Sequence, residues 1–129
     1  MPVGKYFLPI TVAVFGIDHF LYPAFVATLV PRWMPGEAMF WTYFAAVALI
    51  ASGVAMIVGV LPRLASLMLG IMIFLWVWML HLPRALTMDA SRDLGNEWTS
   101  VFEALAFSGI AFVLAALPME SRFSIGYRR

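Results

Sequence analysis

The stretch MFWTYFAAVALIASGVAMIVGVL, Met39–Leu61, decides the fold because its 23 residues include no charge. A helix of that length rises about 1.5 Å per residue and crosses the roughly 30 Å hydrocarbon layer of a bilayer with some tilt. Pro62 and Arg63 follow directly. So short a turn requires the next apolar run, residues 64–82, to return antiparallel beside the first. The centre of the sequence therefore predicts a transmembrane helical hairpin.

Around this hairpin, the composition is typical of a membrane protein. Of the 129 residues, 64% are hydrophobic and 12% are charged, and the mean hydropathy is +0.94. Four apolar runs leave little chain for a soluble module, so residues 1–129 are predicted to form a single integral membrane domain. A net charge of +1 without a dense basic run argues against nucleic acid as a partner. The absence of cysteine from the sequence excludes disulfides, thiolate metal sites and thiol relays.

Two further apolar runs, residues 7–22 and 98–117, complete a predicted all-α membrane protein, an antiparallel bundle of four transmembrane helices. We interpret the first run as a retained helix rather than a cleaved signal peptide, because Asp18 and His19 interrupt its apolar core. Pro23 ends or kinks that helix. The following residues, 24–38, are apolar but contain two prolines and a glycine, which predicts a short interfacial or re-entrant segment.

The distribution of Lys and Arg predicts the orientation of the bundle. Four spans place both termini on one side of the membrane, and the side with more cations is normally cytoplasmic. The terminal side carries Lys5, Arg63, Arg122, Arg128 and Arg129, and the opposite side carries Arg32, Arg84 and Arg92. This excess predicts that both termini are cytoplasmic.

Small residues at intervals of three and four predict close packing between helices. Lipid supplies no hydrophobic drive between transmembrane helices, so close backbone approach has to supply the contact energy. The small residues are Ala45, Ala48, Ser52, Ala55 and Gly59 in the second span and Ala104, Ser108, Ala111 and Ala115 in the fourth.

Several polar residues are predicted to converge in the outer half of the bilayer, because antiparallel alternation brings together the ends of the spans that carry them. This polar cluster comprises Asp18, His19, His81 and Glu103, with Arg84 just above it and Glu97 and Trp98 at the rim. A charged side chain at mid-membrane costs roughly 2.5–3.5 kcal/mol on insertion scales, so such groups pair, become neutral or contact water. We therefore regard these residues as candidates for binding a ligand or handling protons.

Four interpretations of the polar cluster stay open. The side chains can form a hydrogen-bonded knot that fixes helix register. His19, His81, Asp18 and Glu103 can hold zinc, iron or copper, although no ligand spacing in the sequence supports such a site. His19 and His81 can ligate a haem. The cluster can also bind the polar head of an apolar molecule such as a quinone, a sterol-like lipid or an isoprenoid.

Three blocks of the sequence carry a family resemblance. They read GIDHFLYPAFVATLVPRWMPG from Gly16, FWTYFAAVALIASGVAMIVGVLPRLAS from Phe40, and HLPRALTMDASRDLGNEWTSVFEALAFSGIAFVLA from His81. Together they resemble the DoxX-like family of small bacterial membrane proteins. The positions that match the family blocks are His19, Phe20, Pro23, His81, Pro83, Arg84, Glu97 and Trp98. The resemblance implies a four-helix bundle in the bacterial cytoplasmic (inner) membrane, in a family associated with quinol oxidation and other membrane redox complexes.

From these observations we expect a membrane component of a redox or quinone-linked complex, which binds a hydrophobic small molecule in an outer-leaflet polar pocket. Its partners would be the lipid bilayer, the apolar ligand and other membrane subunits or a second copy of the chain. One alternative is a membrane enzyme that acts on a lipid by Asp, His and Glu acid–base chemistry or with a metal. Another is a non-catalytic assembly or scaffold subunit. Whether the protein is an enzyme stays open at this point.

Overall fold

The computed structural model of the protein describes residues 3–87 and 96–118. The C-terminal tail and most of the predicted polar loop between the third and fourth spans lie outside these ranges. Four of the cations behind the predicted orientation, Arg92, Arg122, Arg128 and Arg129, also lie outside them.

The regular structure of the described residues is entirely helical. In chain order the elements are a 3₁₀ turn, Val3–Tyr6; α1, Phe7–Leu21; α2, Pro23–Ala27; α3, Ala38–Val58; α4, Pro62–Trp76; a π-helical turn, Val77–His81; α5, Leu82–Thr87; and α6, Asn96–Ala116. The helix boundaries follow local chemistry. Pro23 and Pro62 each occupy a first helical position, where the missing N–H has no intrahelical partner to lose.

Three of the helices are long and apolar enough to cross a membrane. They are Ala38–Val58, Asn96–Ala116 and the continuous 26-residue helix Pro62–Thr87, which contains α4, the π-helical turn and α5. The run predicted as the first span forms α1, which has 15 residues and is shorter than the usual minimum for crossing alone. For the residues that it describes, the structure therefore confirms an all-helical fold with three candidate spans, and the crossing by α1 stays a prediction.

α1 and α3 approach each other closely. A Cβ atom added to Gly16 would lie 2.8 Å from the carbonyl oxygen of Ala46, and one added to Gly53 would lie 2.6 Å from that of Pro9. The early part of α1 therefore contacts the late part of α3, and the reverse, so the two helices run in opposite directions. Only hydrogen side chains fit at these two crossing points.

The other neighbouring helices are also paired in opposite directions. Gly59 ends α3 in the left-handed conformation, with φ +76°, which glycine adopts readily, and α4 begins three residues later. On the other face of α4, the guanidinium Nε of Arg63 donates a hydrogen bond of 3.0 Å to the carbonyl oxygen of Ala115 near the end of α6. Gly70, one to two turns further along, packs against Ala111. The order of packing is therefore α1 on α3, α3 on α4, and α4 on α6.

The predicted small-residue stripes account for part of this packing. In α6, Ala104, Ser108 and Ala111 are buried as predicted. In α3, Ala45 is buried, whereas the most enclosed positions include Ala46, which the stripe had omitted. The difference arises because α3 contacts both α1 and α4 and therefore buries two faces, while a single stripe describes only one.

Gly53→Ala is expected to destabilise the protein, because its new methyl group would meet a backbone oxygen that cannot rotate away. Overpacking of this kind costs about 1–3 kcal/mol. Gly109→Ala, in the exposed face of α6, is the matched control. It has nothing within 4 Å of its added Cβ and should be neutral or gain up to about 1 kcal/mol from helix propensity. Thermal unfolding of both variants in detergent measures the difference. Equal midpoints would show that the α1–α3 crossing is not close-packed.

Candidate functional site

A cavity of about 620 Å³ lies between the helices at the end of the molecule where α1 ends and α6 begins. Its walls come from α1, α3, the second half of the long helix and α6, and it is closed on one side by α2 and the residues that follow it. The lining is mainly apolar, with aromatic side chains that include Phe15, Phe25, Phe44 and Phe107. Its size is within the range of small-molecule binding sites.

All four members of the predicted polar cluster line this cavity. They are Asp18 and His19 on α1, His81 on the π-helical turn and Glu103 on α6. Asp18, His19 and His81 are half-buried, and Glu103 is exposed. Side chains from three separate helices therefore line the same cavity. The sequence predicted that they lie close together from the antiparallel alternation of the helices alone.

The register between α1 and α6 sets the level of two of these groups. Phe15 and Phe107 are in edge-to-face contact across the cavity, with ring centroids 5.7 Å apart. His19 follows Phe15 by four residues, and Glu103 precedes Phe107 by four residues. Because α1 and α6 run in opposite directions, both residues lie on the same side of the ring pair. Each lies about one helical turn, or 6 Å, beyond the ring pair. The imidazole and the carboxylate are therefore on the same level of the seam between the two helices.

The π-helical turn explains how His81 reaches the cavity. A straight α-helix that places Ile73, Trp76 and Leu80 on one wall would continue that wall to residues 83 and 84. Within the π-helical turn the backbone N–H of Leu82 instead donates to the carbonyl oxygen of Val77, five residues back. The wider turn rotates His81 onto the cavity wall. Pro83 favours this distortion, because a proline in a regular helix clashes with the carbonyl four residues before it.

His19 is held in one orientation by its own helix. Its Nδ1 atom lies 2.6 Å from the carbonyl oxygen of Phe15. A carbonyl oxygen only accepts hydrogen bonds, so Nδ1 carries the proton and donates. In the neutral ring, Nε2 is then a bare acceptor on the side of the imidazole away from the helix backbone.

The segment after α1 forms one wall of the cavity. Phe25 and Val26 of α2, followed by Leu29 and Met34, contribute apolar side chains to it. The predicted interfacial or re-entrant segment thus begins with a short helix, Pro23–Ala27, and continues in turns. A hydrogen bond of 2.7 Å from the indole Nε1 of Trp41 to the carbonyl oxygen of Pro35 ties its far end to α3.

Sequence reasoning did not identify which aromatic side chains line the cavity. The tryptophans at 41 and 76 fit an interfacial belt equally well by their positions, yet both line the cavity, whereas Trp78 is 57% exposed on the outer surface. Ile73, Trp76 and Leu80 have the i, i+3 and i+7 spacing of residues on one helix face, and this pattern could have identified Trp76 as part of the cavity wall.

Arg84, Glu97 and Trp98 do not line the cavity, although Arg84 and Glu97 are near enough to His81 to act on it electrostatically. Their predicted role at the rim of the polar cluster stays a prediction. Nη2 of Arg84 donates to Oε1 of Glu97 at 2.6 Å, and Nε donates to Oε2 at 3.2 Å. This two-pronged ion pair joins α5 to the first turn of α6, and Glu97 is only 7% exposed. α5 packs against α6, which brings the carboxylate of Glu97 within reach of Arg84, and the planar guanidinium binds it through two hydrogen bonds.

The predicted metal set of His19, His81, Asp18 and Glu103 does not assemble. Among residues 3–87 and 96–118, no three His, Asp or Glu side chains are grouped closely enough to hold a metal ion. The four side chains come from three helices around the cavity and do not converge on one point. Haem ligation by the two histidines stays a prediction.

Comparison with known proteins gives one match. The family model described as Domain of unknown function (DUF8561) matches residues 8–102, which include α1 to α5 and the first residues of α6. No curated protein and no solved structure matches the chain.

Arg84→Met is expected to lower the free energy of unfolding by about 1–3 kcal/mol, because it removes two charge-assisted hydrogen bonds from a carboxylate that is almost buried. The double variant Arg84→Met/Glu97→Gln should recover part of the loss, since the amide is cheaper to bury than the carboxylate. Thermal unfolding in detergent, with exposed Arg32→Met as the control, measures both effects. If the Arg84 and Arg32 variants unfold alike, the ion pair contributes nothing to stability.

Proposed function

We propose that this chain, which belongs to the DUF8561 family, binds a small molecule within the membrane and that its cavity is the binding site. The molecule would be apolar with a polar head. The carrying observation is that four ionisable side chains from three helices line one otherwise apolar cavity of about 620 Å³. Ionisable groups inside membrane-spanning helices are costly, and those that occur usually line a ligand or ion pathway. An apolar cavity with a few polar groups is the usual form of a small-molecule site.

The hydrogen bonding of the polar cluster favours a ligand over a structural knot. A knot that fixes helix register requires its members to bond to one another. Across the described part of the chain, no hydrogen bond or ion pair reaches the carboxylate of Asp18 or of Glu103. The bonds of His19 and of the neighbouring hydroxyl groups go to their own helices. Among the described residues, the members of the cluster are therefore not hydrogen-bonded to one another, although Glu103 acts on His81 electrostatically, and all four line the cavity.

We further propose that α1 crosses the membrane as the first of four spans. It packs along α3, a candidate span, over much of its length, so the two helices share one layer. The 3₁₀ turn and α1 together extend about 30 Å, the thickness of the hydrocarbon layer. A bundle of four antiparallel spans in the bacterial cytoplasmic membrane, with both termini in the cytoplasm, fits the distribution of Lys and Arg in the sequence.

For the class of ligand we propose a quinone, a quinol or a molecule of similar shape. A flat polar ring with an apolar tail suits a cavity walled by aromatic and aliphatic side chains. A role in a quinone-linked redox complex rests on the resemblance to the DoxX-like family together with this cavity chemistry. The DUF8561 match does not itself link the chain to that family.

The two tryptophans on either side of the π-helical boundary allow a direct test. Trp76 lines the cavity, and Trp78 faces outward with 57% of its surface exposed. A benzoquinone with a decyl tail, a fluorescence quencher, should quench the full-length protein in lipid nanodiscs with a saturable component. Trp76→Phe should remove much of that component, while Trp78→Phe should leave it intact.

A quinone that only dissolves in the bilayer would quench in proportion to its concentration and would affect both variants alike. That result would overturn the proposed function. The comparison is matched, because each variant lacks one tryptophan of the same helix and both keep the same number of tryptophans.

A further inference from the structure

We infer that the head of the bound molecule donates hydrogen bonds to the protein. This inference rests on the proposed binding function and specifies its ligand chemistry. It follows from the hydrogen-bond donors and acceptors around the cavity that have no partner within the protein.

Most of the donors around the cavity are already used. The hydroxyl of Thr42 donates to the carbonyl oxygen of Ala38 at 3.0 Å, and that of Ser100 donates to the carbonyl oxygen of Asn96 at 3.2 Å. The same holds for two ring nitrogens. Nδ1 of His19 donates to its own helix at 2.6 Å, and the indole of Trp41 donates to the α2–α3 segment at 2.7 Å.

The acceptors, in contrast, remain available. Within the described ranges, the carboxylates of Asp18 and Glu103 have no hydrogen-bond or ion-pair partner, which leaves four oxygen atoms, although Glu103 is near enough to His81 to act on it electrostatically. In the neutral ring of His19, Nε2 is a further acceptor, because Nδ1 carries the proton. The donors left over are the Tyr22 hydroxyl, the Trp76 indole and one nitrogen of His81. The acceptors thus outnumber the donors, and two of them are carboxylates.

The charges near the cavity point the same way. No Lys or Arg is among the described residues that line it. Arg84 is near His81, but it is bound by both prongs to Glu97 outside the cavity. A ligand head with N–H or O–H groups can satisfy the two carboxylates, whereas an anionic head would be repelled by them. A head that only accepts, such as that of a quinone, binds through its ring and tail and leaves the carboxylates unpaired, so it binds more weakly than a donor such as a quinol.

An ammonium group and a neutral hydroxyl are two chemical groups that could donate these hydrogen bonds. A series of probes that differ only in the head group distinguishes them. We would use four probes with one ten-carbon tail: decylamine, 1-decanol, decyl methyl ether and decanoate. Each would compete with the decyl benzoquinone for the wild-type protein in nanodiscs, with recovery of the saturably quenched tryptophan fluorescence as the readout. Amounts are compared after partition into the bilayer, so that differences in membrane solubility cancel.

Decylamine, decanol or both should displace the quinone at least tenfold more effectively than the ether and the decanoate, as hydrogen bonds to charged groups are worth about 1.5–3 kcal/mol. A stronger effect of decylamine assigns a cationic head, and an equal effect assigns a neutral donor. Asp18→Asn and Glu103→Gln should each reduce the tenfold preference to threefold or less. Glu37→Gln, an exposed carboxylate outside the cavity, should leave it unchanged.

Equal displacement by all four probes, or the strongest displacement by decanoate or the ether, would overturn the inference and leave the proposed binding function standing. Loss of saturable quinone quenching in the wild-type protein would overturn both. The comparison of probes on the wild-type protein does not depend on whether the variants fold.

Discussion

The close crossing of α1 and α3 is the constraint on which the rest of the structure depends. At Gly16 and Gly53 the backbone of one helix approaches the other too closely for any side chain, so α1 is fixed to α3. α6 is fixed instead to α4, through the packing around Gly70 and the ion pair between Arg84 and Glu97. α1 and α6 are each attached to a different partner and make few contacts with each other, and the cavity lies between them.

Much of this architecture could be predicted from the sequence, because the membrane imposes simple rules of length and polarity. An uncharged run such as Met39–Leu61 has few alternatives to a membrane-spanning helix, although the helix observed is Ala38–Val58, with Gly59 ending it. The meeting of Asp18, His19, His81 and Glu103 also followed from antiparallel alternation alone. Depth in a bilayer is nearly a linear function of position along a helix, so residues at matching depths could be identified without knowing the packing.

What could not be predicted depends on rotation about the helix axis rather than on depth. Arg84 and Glu97 have suitable depths for the polar cluster, but they face each other on α5 and α6 away from the cavity. The π-helical turn at Val77–His81 changes the face of every residue after it, and no residue pattern announces it beyond the proline at position 83. Several apolar residues that close the cavity come from an irregular segment, to which helical periodicity does not apply.

The single aromatic contact between Phe15 and Phe107 has a mechanical consequence. An edge-to-face ring pair contributes about 0.5–1.5 kcal/mol beyond its buried area, roughly one to three times the thermal energy. Parting these rings leaves the crossing of α1 on α3 and the ion pair of α5 with α6 intact. The seam between α1 and α6 is therefore held far less firmly than the pairings of α1 with α3 and of α4 with α6.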